Sequence, residues 1–507
     1  MNEHLHEATI AGLQEAMRRG DLTSQQITHD YIAAIHALDW DGPELRSVIE
    51  INPDAEAIAA ELDRERAAGH VRGQLHGIPI LLKDNIDTDD KQQTTAGSLA
   101  LLGSRPAQDA TVAARLREAG AVILGKANLS EWANFRSTKS SSGWSARGGQ
   151  CRNPYVLTHS PCGSSSGSGT SIAANLAVAA LGTETDGSIV CPSGRCGIVG
   201  LKPTVGLTSR AGVVPISHSQ DTVGPMTRTV ADAAAVLGVL VGVDPRDAAT
   251  AESEGKFVAD YTAYLDANGL ADARIGIART GFFGTHPETD AVIEGIIEVL
   301  RNAGAVVVDP ADVPYAGSKE AGDVEYEVLL YEFQADMANY LATRVPVDAS
   351  MPQPRTLAEL IAFNTDNADK ELPHFGQEIF EMAAAKGPLT EQAYLDAIAA
   401  SRRMSREEGI DKVMDEHQLD AILAPTGGPA WAVNYETGDK FTGGSSRPAA
   451  MAGYPLLTIP AGFVGALPVG VTLMGRAYSE ATLIRLGYAL EQLIQARRAP
   501  EFREIFD

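Results

Sequence analysis

Apolar residues fall into two textures along this chain. Over residues 1–70 they recur at helical spacing: Ile27, Tyr31, Ile35 and Leu38 follow Thr23 and Gln26, a pair placed as a capping box. That segment predicts polar, amphipathic helices. Further on they cluster. Gly77-Ile-Pro-Ile-Leu-Leu-Lys-Asp84 is a short apolar run ending on two charges, and Ala121-Val-Ile-Leu-Gly-Lys126 repeats the shape. Runs of about 4–8 apolar residues alternating with helical patterns predict strands covered on both faces, hence an α/β architecture. Further strands are expected at Arg274–Ala278, Ala305–Val308, Ala421–Leu423, Leu457–Ile459 and Val469–Leu473. The 320–410 stretch predicts helices, most clearly Glu325 to Tyr340 and Glu391 to Glu408.

Residues 134–228 are dense in Gly, Ser and Thr, yet apolar segments interrupt them. Ile172 to Leu181 reads as helix or strand, and Ile198 to Leu201 as strand, so a flexible linker is excluded. Small residues in that density imply backbone approaching something closely. No internal repeat and no Pro/Gly linker divides the chain, which predicts one domain over 1–507. Its expected parts are N-terminal helices (1–70), a core (71–245), a helical elaboration (246–410) and a return to the core (411–507).

The formal charge of −25 and pI near 4.8 repel phosphate backbones, and no basic run offsets them, so nucleic acid is not an expected partner. The longest apolar run, Ala233 to Val243, is far short of the ~20 residues of a spanning helix, so no membrane is expected. No secretory signal is visible, so the chain as written reads as cytoplasmic, with an exported longer precursor left open. Four cysteines in 507 residues cannot form a disulfide scaffold, and no histidine pair completes a zinc site. Cys151, Cys162, Cys191 and Cys196 are expected as buried or pocket-edge free thiols.

Three elements carry chemistry. Lys83 ends an apolar strand. Cys162-Gly-Ser-Ser-Ser-Gly-Ser-Gly-Thr170 resembles a phosphate-binding loop but lacks its lysine. Gly182-Thr-Glu-Thr-Asp-Gly-Ser-Ile-Val190 runs into Cys191-Pro192, a strand-to-helix turn that presents Ser188 beside unpaired backbone N–H groups. No histidine is placed to activate that serine: His76, His159 and His218 sit in no triad-like motif. A lysine can serve if burial strips its proton.

These elements, in this order, resemble the amidase signature family of Ser–Ser–Lys hydrolases. Ser188 follows Ser164 by 24 residues, the family spacing. Lys126-Ala-Asn-Leu-Ser-Glu131, Val199-Gly-Leu-Lys-Pro-Thr204, Asp221-Thr-Val-Gly-Pro225, Ala452-Gly-Tyr-Pro455 and Leu467-Pro-Val-Gly470 extend the likeness over about residues 5–490. The resemblance implies one large mixed, twisted sheet with helices on both faces. It implies Ser188 as nucleophile, Ser164 beside a cis peptide bond as relay and Lys83 as base. Backbone N–H groups of Thr185, Asp186, Gly187 and Ser188 would form the oxyanion hole. Neither metal nor cofactor is implied.

Cys162 stands where the family has Gly, and Asp186 and Val190 replace a small residue and Arg. Those departures, with Asn134 and Ser219-Gln-Asp221, resemble the bacterial peptide amidases, whereas Ser193-Gly-Arg-Cys196 departs even from them. The expected substrate is a peptide or small-molecule amide, with Asn134 and Trp132 closing the pocket. The alternatives are general aliphatic or aryl amide hydrolysis and the work of an amidotransferase subunit. A monomer or homo-oligomer is expected.

Overall fold

The computed structural model describes residues 3–348, 350–351 and 353–505. Its centre is a mixed sheet of 11 strands covered by helices. In spatial order these are Val48–Ile51, Val122–Ala127, Pro79–Lys83, Ala179–Glu184, Thr222–Thr227, Val199–Lys202, Leu456–Val464, Leu467–Met474, Ala421–Pro425, Arg274–Ile277 and Val306–Val308. Pro79–Lys83 runs parallel to both its neighbours, with Leu82 opposite Lys126 on one side and Leu181 on the other. Every residue of these three strands is buried, which is why they read as continuous apolar runs instead of alternating ones. From Ala179–Glu184 the pairings turn antiparallel through Ala421–Pro425, and two parallel pairs complete the far edge.

The ambiguous stretch Ile172 to Leu181 divides. Helix Ser166–Ala173 stops before Asn175, whose φ of 60° is left-handed, and strand Ala179–Glu184 comes next. Asparagine tolerates that conformation, and here its side chain is held by Glu7 from the N-terminal region. Glu325 to Tyr340 lies within the long helix Lys319–Thr343, while the run expected as one helix to Glu408 is Gln392–Arg402 continued by wider π-type turns. Thr23 caps helix Ser24–Ile35 by accepting from the Gln26 amide at 3.1 Å.

The three largest apolar clusters among the described residues hold these parts. One surrounds Ile80, Leu82, Ile123 and Leu181, and a second packs Ile275, Leu423, Leu457 and Leu473. The third, with Trp132, Phe333 and Phe380, fastens the 319–384 helices onto the loop after strand Val122–Ala127. A buried ion pair reinforces that joint. Arg136, fully buried, donates to Glu131 Oε1 and to the Glu371 carbonyl, and its guanidinium lies 4.3 Å over the Phe375 ring. Burial pushes the Glu131 carboxyl well above its ordinary range and raises that of Glu371.

Removing one partner of a buried pair strands the other. Arg136→Met is therefore expected to cost about 3–5 kcal/mol in urea unfolding. A loss below about 1 kcal/mol would mean that both carboxyls are already neutral in the folded protein and that the guanidinium adds only packing.

Candidate active site

Parallel strands Pro79–Lys83 and Ala179–Glu184 end side by side, and the candidate residues gather beyond those ends. In α/β sheets this is the edge where ligands bind. Lys83 closes its strand fully buried. Its Nζ donates to Ser164 Oγ at 2.8 Å, to Thr183 Oγ1 at 2.8 Å and to the Thr183 carbonyl at 3.3 Å. Burial lowers its pKa from 10.5 to about 7, although Asp221 and Glu184 pull the other way. Desolvation wins because neither carboxylate touches the ammonium; both are engaged elsewhere.

Ser164, also fully buried, comes after a cis peptide bond from Gly163, as the resemblance implies. Gly163 has no room for a side chain: a Cβ there would lie 2.1 Å from Ser130 Oγ. The next residue ties the two serine loops together, since the Ser165 amide donates to the Ser188 carbonyl at 3.2 Å and its hydroxyl donates to the Thr183 carbonyl at 3.1 Å.

Ser188 sits 9% exposed in the wall of a cleft of about 690 Å³. Gly187 before it adopts φ +80°, a left-handed turn suited to glycine. Glu184 fixes the chain beyond the serine, accepting from the Ile189 amide at 2.7 Å and the Val190 amide at 2.9 Å, where helix Val190–Arg195 begins. Asp221 fixes the chain ahead of it, accepting from Thr185 Oγ1 at 2.6 Å and from the amides of Ile216 and Ser217 at 2.9 Å. The Asp186 carboxylate accepts from Ser446 Oγ. Among the described residues, the amides of Asp186, Gly187 and Ser188 meet no backbone acceptor. An anion forming at a carbonyl bonded to Ser188 Oγ would meet these donors.

Asn134 lines the cleft, and its Oδ1 is buried without a hydrogen-bond partner. Trp132 does not line it. The chain passes through three successive left-handed residues, Trp132, Ala133 and Asn134 (φ 52°, 54° and 71°), which send the indole into the core against Phe380. The expectation of free thiols is also corrected: Cys162 and Cys191 form a disulfide in the cleft wall, while Cys151 and Cys196 are free and buried. Cys162 holds the left-handed conformation (φ 65°) that suits the family's glycine.

No histidine lines the cleft among the described residues. Among the described residues one group of side chains has metal-ligand spacing, His218, Glu332 and Asp336, which the sequence does not reveal. It lies outside the cleft, and Glu332 already accepts from Ser217, Ser219 and Tyr394. Sequence reasoning also misses Thr183, Glu184 and Asp221 as supports. Each falls inside a quoted motif, but nothing local separates a buried brace from a solvated polar residue.

The Amidase family model matches residues 26–484. A native peptide amidase from Stenotrophomonas maltophilia superposes with TM-score 0.92 at 53% identity, covering 98% of this chain and 99% of the other. A probable amidase of Arabidopsis thaliana is 42% identical over 98% of this chain and 92% of its own length. A glutamyl-tRNA(Gln) amidotransferase subunit of Chloroflexus aurantiacus is 36% identical, covering 97% of both. With its family matched over most of its length and a buried Ser–Lys pair behind a serine at the cleft wall, this chain belongs to the amidase family and is a hydrolase of amides.

Proposed function

We propose that the enzyme removes the C-terminal amide from peptides, releasing ammonia and a free carboxylate, with Ser188, Ser164 and Lys83 as its catalytic residues. The observation that carries the catalytic reading is the fully buried Lys83 bonded to Ser164 Oγ at 2.8 Å behind Ser188, which faces the cleft next to unpaired amides. Ser188 Oγ attacks the amide carbonyl while its proton passes to Ser164, whose own proton moves to neutral Lys83. The amides of Thr185, Asp186, Gly187 and Ser188 receive the oxyanion. As the tetrahedral intermediate collapses, Lys83 returns the proton through Ser164 to the departing nitrogen. Water then attacks the ester by the same relay in reverse.

Four features support a peptide amide as substrate. The likeness to the Stenotrophomonas peptide amidase exceeds that to the Chloroflexus amidotransferase chain. A cleft of about 690 Å³ is large for acetamide and ample for a short peptide end. Asn134 lines that wall with its side-chain oxygen buried and unpartnered, so a small turn of the amide would offer a primary carboxamide N–H an acceptor. Apolar residues Phe135, Ile216, Phe282, Leu329 and Phe441 give side chains an apolar surface.

Ser188→Ala is expected to abolish turnover, and Lys83→Ala to lower kcat by at least ~10³-fold with the fold intact, in line with losses of triad members elsewhere. Near-normal turnover of Lys83→Ala at pH 7 would sink the base assignment. Because Lys83 must be neutral, kcat/KM is expected to be low where it is protonated, to rise through about pH 7 and to hold into mildly alkaline solution. A profile falling through that range would point to a carboxylate base instead.

Substrate class is tested with one peptide in three forms: the C-terminal amide, the free acid and a chain-extended version. Ammonia from the first, with the third left uncut, is the expected result. A built acceptor left unpaired by the wrong group can discriminate by ~10⁴-fold. Fast hydrolysis of benzamide with poor turnover of peptide amides would make this a general amidase.

A further inference from the structure

The structure assigns a new role to Glu325, on the long helix Lys319–Thr343: we propose that it is a positioning residue for the oxyanion loop, acting through Gln220 and Arg447. This inference rests on the reading of Ser188 and the 185–188 amides given above.

Glu325 is buried, 4% exposed, and its two oxygens reach in different directions. Oε1 accepts from Gln220 Nε2 at 3.0 Å, and that same Nε2 donates to the Thr185 carbonyl at 3.4 Å. Oε2 accepts from Arg447 Nε at 2.8 Å, which also lies 3.8 Å from Asp186 Oδ2. The neighbouring Ser446 donates to the other Asp186 oxygen. Thr185 and Asp186 thus owe part of their placement to partners that meet on one carboxyl. Gln220 adds a second connection, because the adjacent Asp221 binds the Thr185 hydroxyl.

Asp186 is the residue that replaces a small one in the wider family pattern. A carboxylate there needs a counter-charge, and Arg447 supplies it from the segment that borders the cleft. Arg447 in turn needs a fixed direction, since a guanidinium 41% exposed in its side chain is otherwise free to turn to water. Glu325 gives that direction from the protein side. Burial, with the nearby Asp186 carboxylate, raises the Glu325 pKa well above the ordinary carboxyl range. The pattern explains Asp186, Arg447 and Glu325 together: a cluster of two carboxyl groups and one guanidinium that braces the turn carrying the oxyanion donors.

A brace of oxyanion geometry has a signature that general stability lacks. It changes binding of a tetrahedral adduct without changing binding of the planar substrate. The test uses Glu325→Gln, which keeps shape but faces one of the two donors with an NH2, and Arg447→Met, both alongside the wild type. A C-terminal peptide aldehyde, which forms a hemiacetal on a serine, reports on the oxyanion site through its inhibition constant. Displacing a donor is milder than deleting one, which costs roughly 10²–10³ in kcat. Glu325→Gln is therefore expected to lose about 10-fold or more in kcat, with KM within about twofold, and to weaken aldehyde inhibition by the same factor as kcat/KM. The double variant is expected to be little worse than the poorer single one, since both act through one cluster.

Fluorophosphonate labelling of Ser188 separates the failures. If wild-type Ser188 is not labelled, the nucleophile assignment itself fails. If it is labelled and Glu325→Gln lowers only the labelled fraction while the aldehyde constant stays unchanged, Glu325 is merely structural and the proposal is overturned. Unchanged kcat in Glu325→Gln overturns it as well. Should Glu325→Gln fold poorly by thermal melting, Arg447→Met alone must show the matched loss in kcat/KM and aldehyde binding; an unmatched loss counts against the brace.

Discussion

The burial of one ammonium group governs the rest of this site. Lys83 ends a strand that is covered on both faces, and its nearest partners are neutral oxygens of Ser164 and Thr183. A fall from 10.5 to about 7 corresponds to about 5 kcal/mol of preference for the uncharged form relative to water. That preference survives only while nearby carboxylates are kept from pairing with the lysine. Asp221 is engaged by Thr185, Ile216 and Ser217, and Glu184 by the amides of Ile189 and Val190. The carboxylates that would hold a proton on Lys83 are the ones that shape the turn carrying Ser188. One arrangement therefore achieves both ends: it directs negative charge into backbone amides and leaves the lysine with neutral company.

Much of this is legible in the sequence because it is local. Apolar runs ending on Lys83 and Lys126 mark strand ends, and a 24-residue spacing links Ser164 to Ser188. The features that escape such a reading are non-local or depend on handedness. The spacing of Cys162 and Cys191 carries no distance, and a disulfide between them emerges only where the serine loop meets helix Val190–Arg195. Trp132 and Asn134 sit two positions apart, which suggests one shared wall. Three consecutive left-handed residues part them, and no composition rule anticipates such a run. The strands of the last hundred residues lie where their apolar runs indicate, yet only long-range pairing places Leu456–Val464 beside Val199–Lys202.

Charged residues are the hardest to read. In sequence Glu325 is one polar position on an expected helix, and such a position is ordinarily solvated. Its burial depends on the elaboration 319–384 being seated by Trp132, Phe333 and Phe380. The helical elaboration is then more than a covering. Its apolar face anchors to the loop after strand Val122–Ala127, and its polar residues Glu325 and Glu332 reach back to the segment 217–220 just ahead of Asp221.

The disulfide adds constraint from the opposite side. It closes a 29-residue span in which Ser164 and Ser188 both lie, so the two serines belong to one covalent ring. In the chain-entropy picture a ring of that size removes about 3–4 kcal/mol of freedom from the unfolded chain. Its local consequence is of another kind. Cys162 occupies a left-handed conformation that costs a side chain roughly 1–2 kcal/mol, where the wider family pattern has glycine. Glycine would accept that geometry and also many others. A cysteine bonded to Cys191 in the cleft wall accepts few, so the peptide leading into Gly163 and Ser164 is held by its own cross-link. Asp221 holds the front of the 185–188 turn through Thr185, while Cys191 anchors the helix behind it. Ser164 and Ser188 are thus fixed from both ends by bonds that no substrate needs to form.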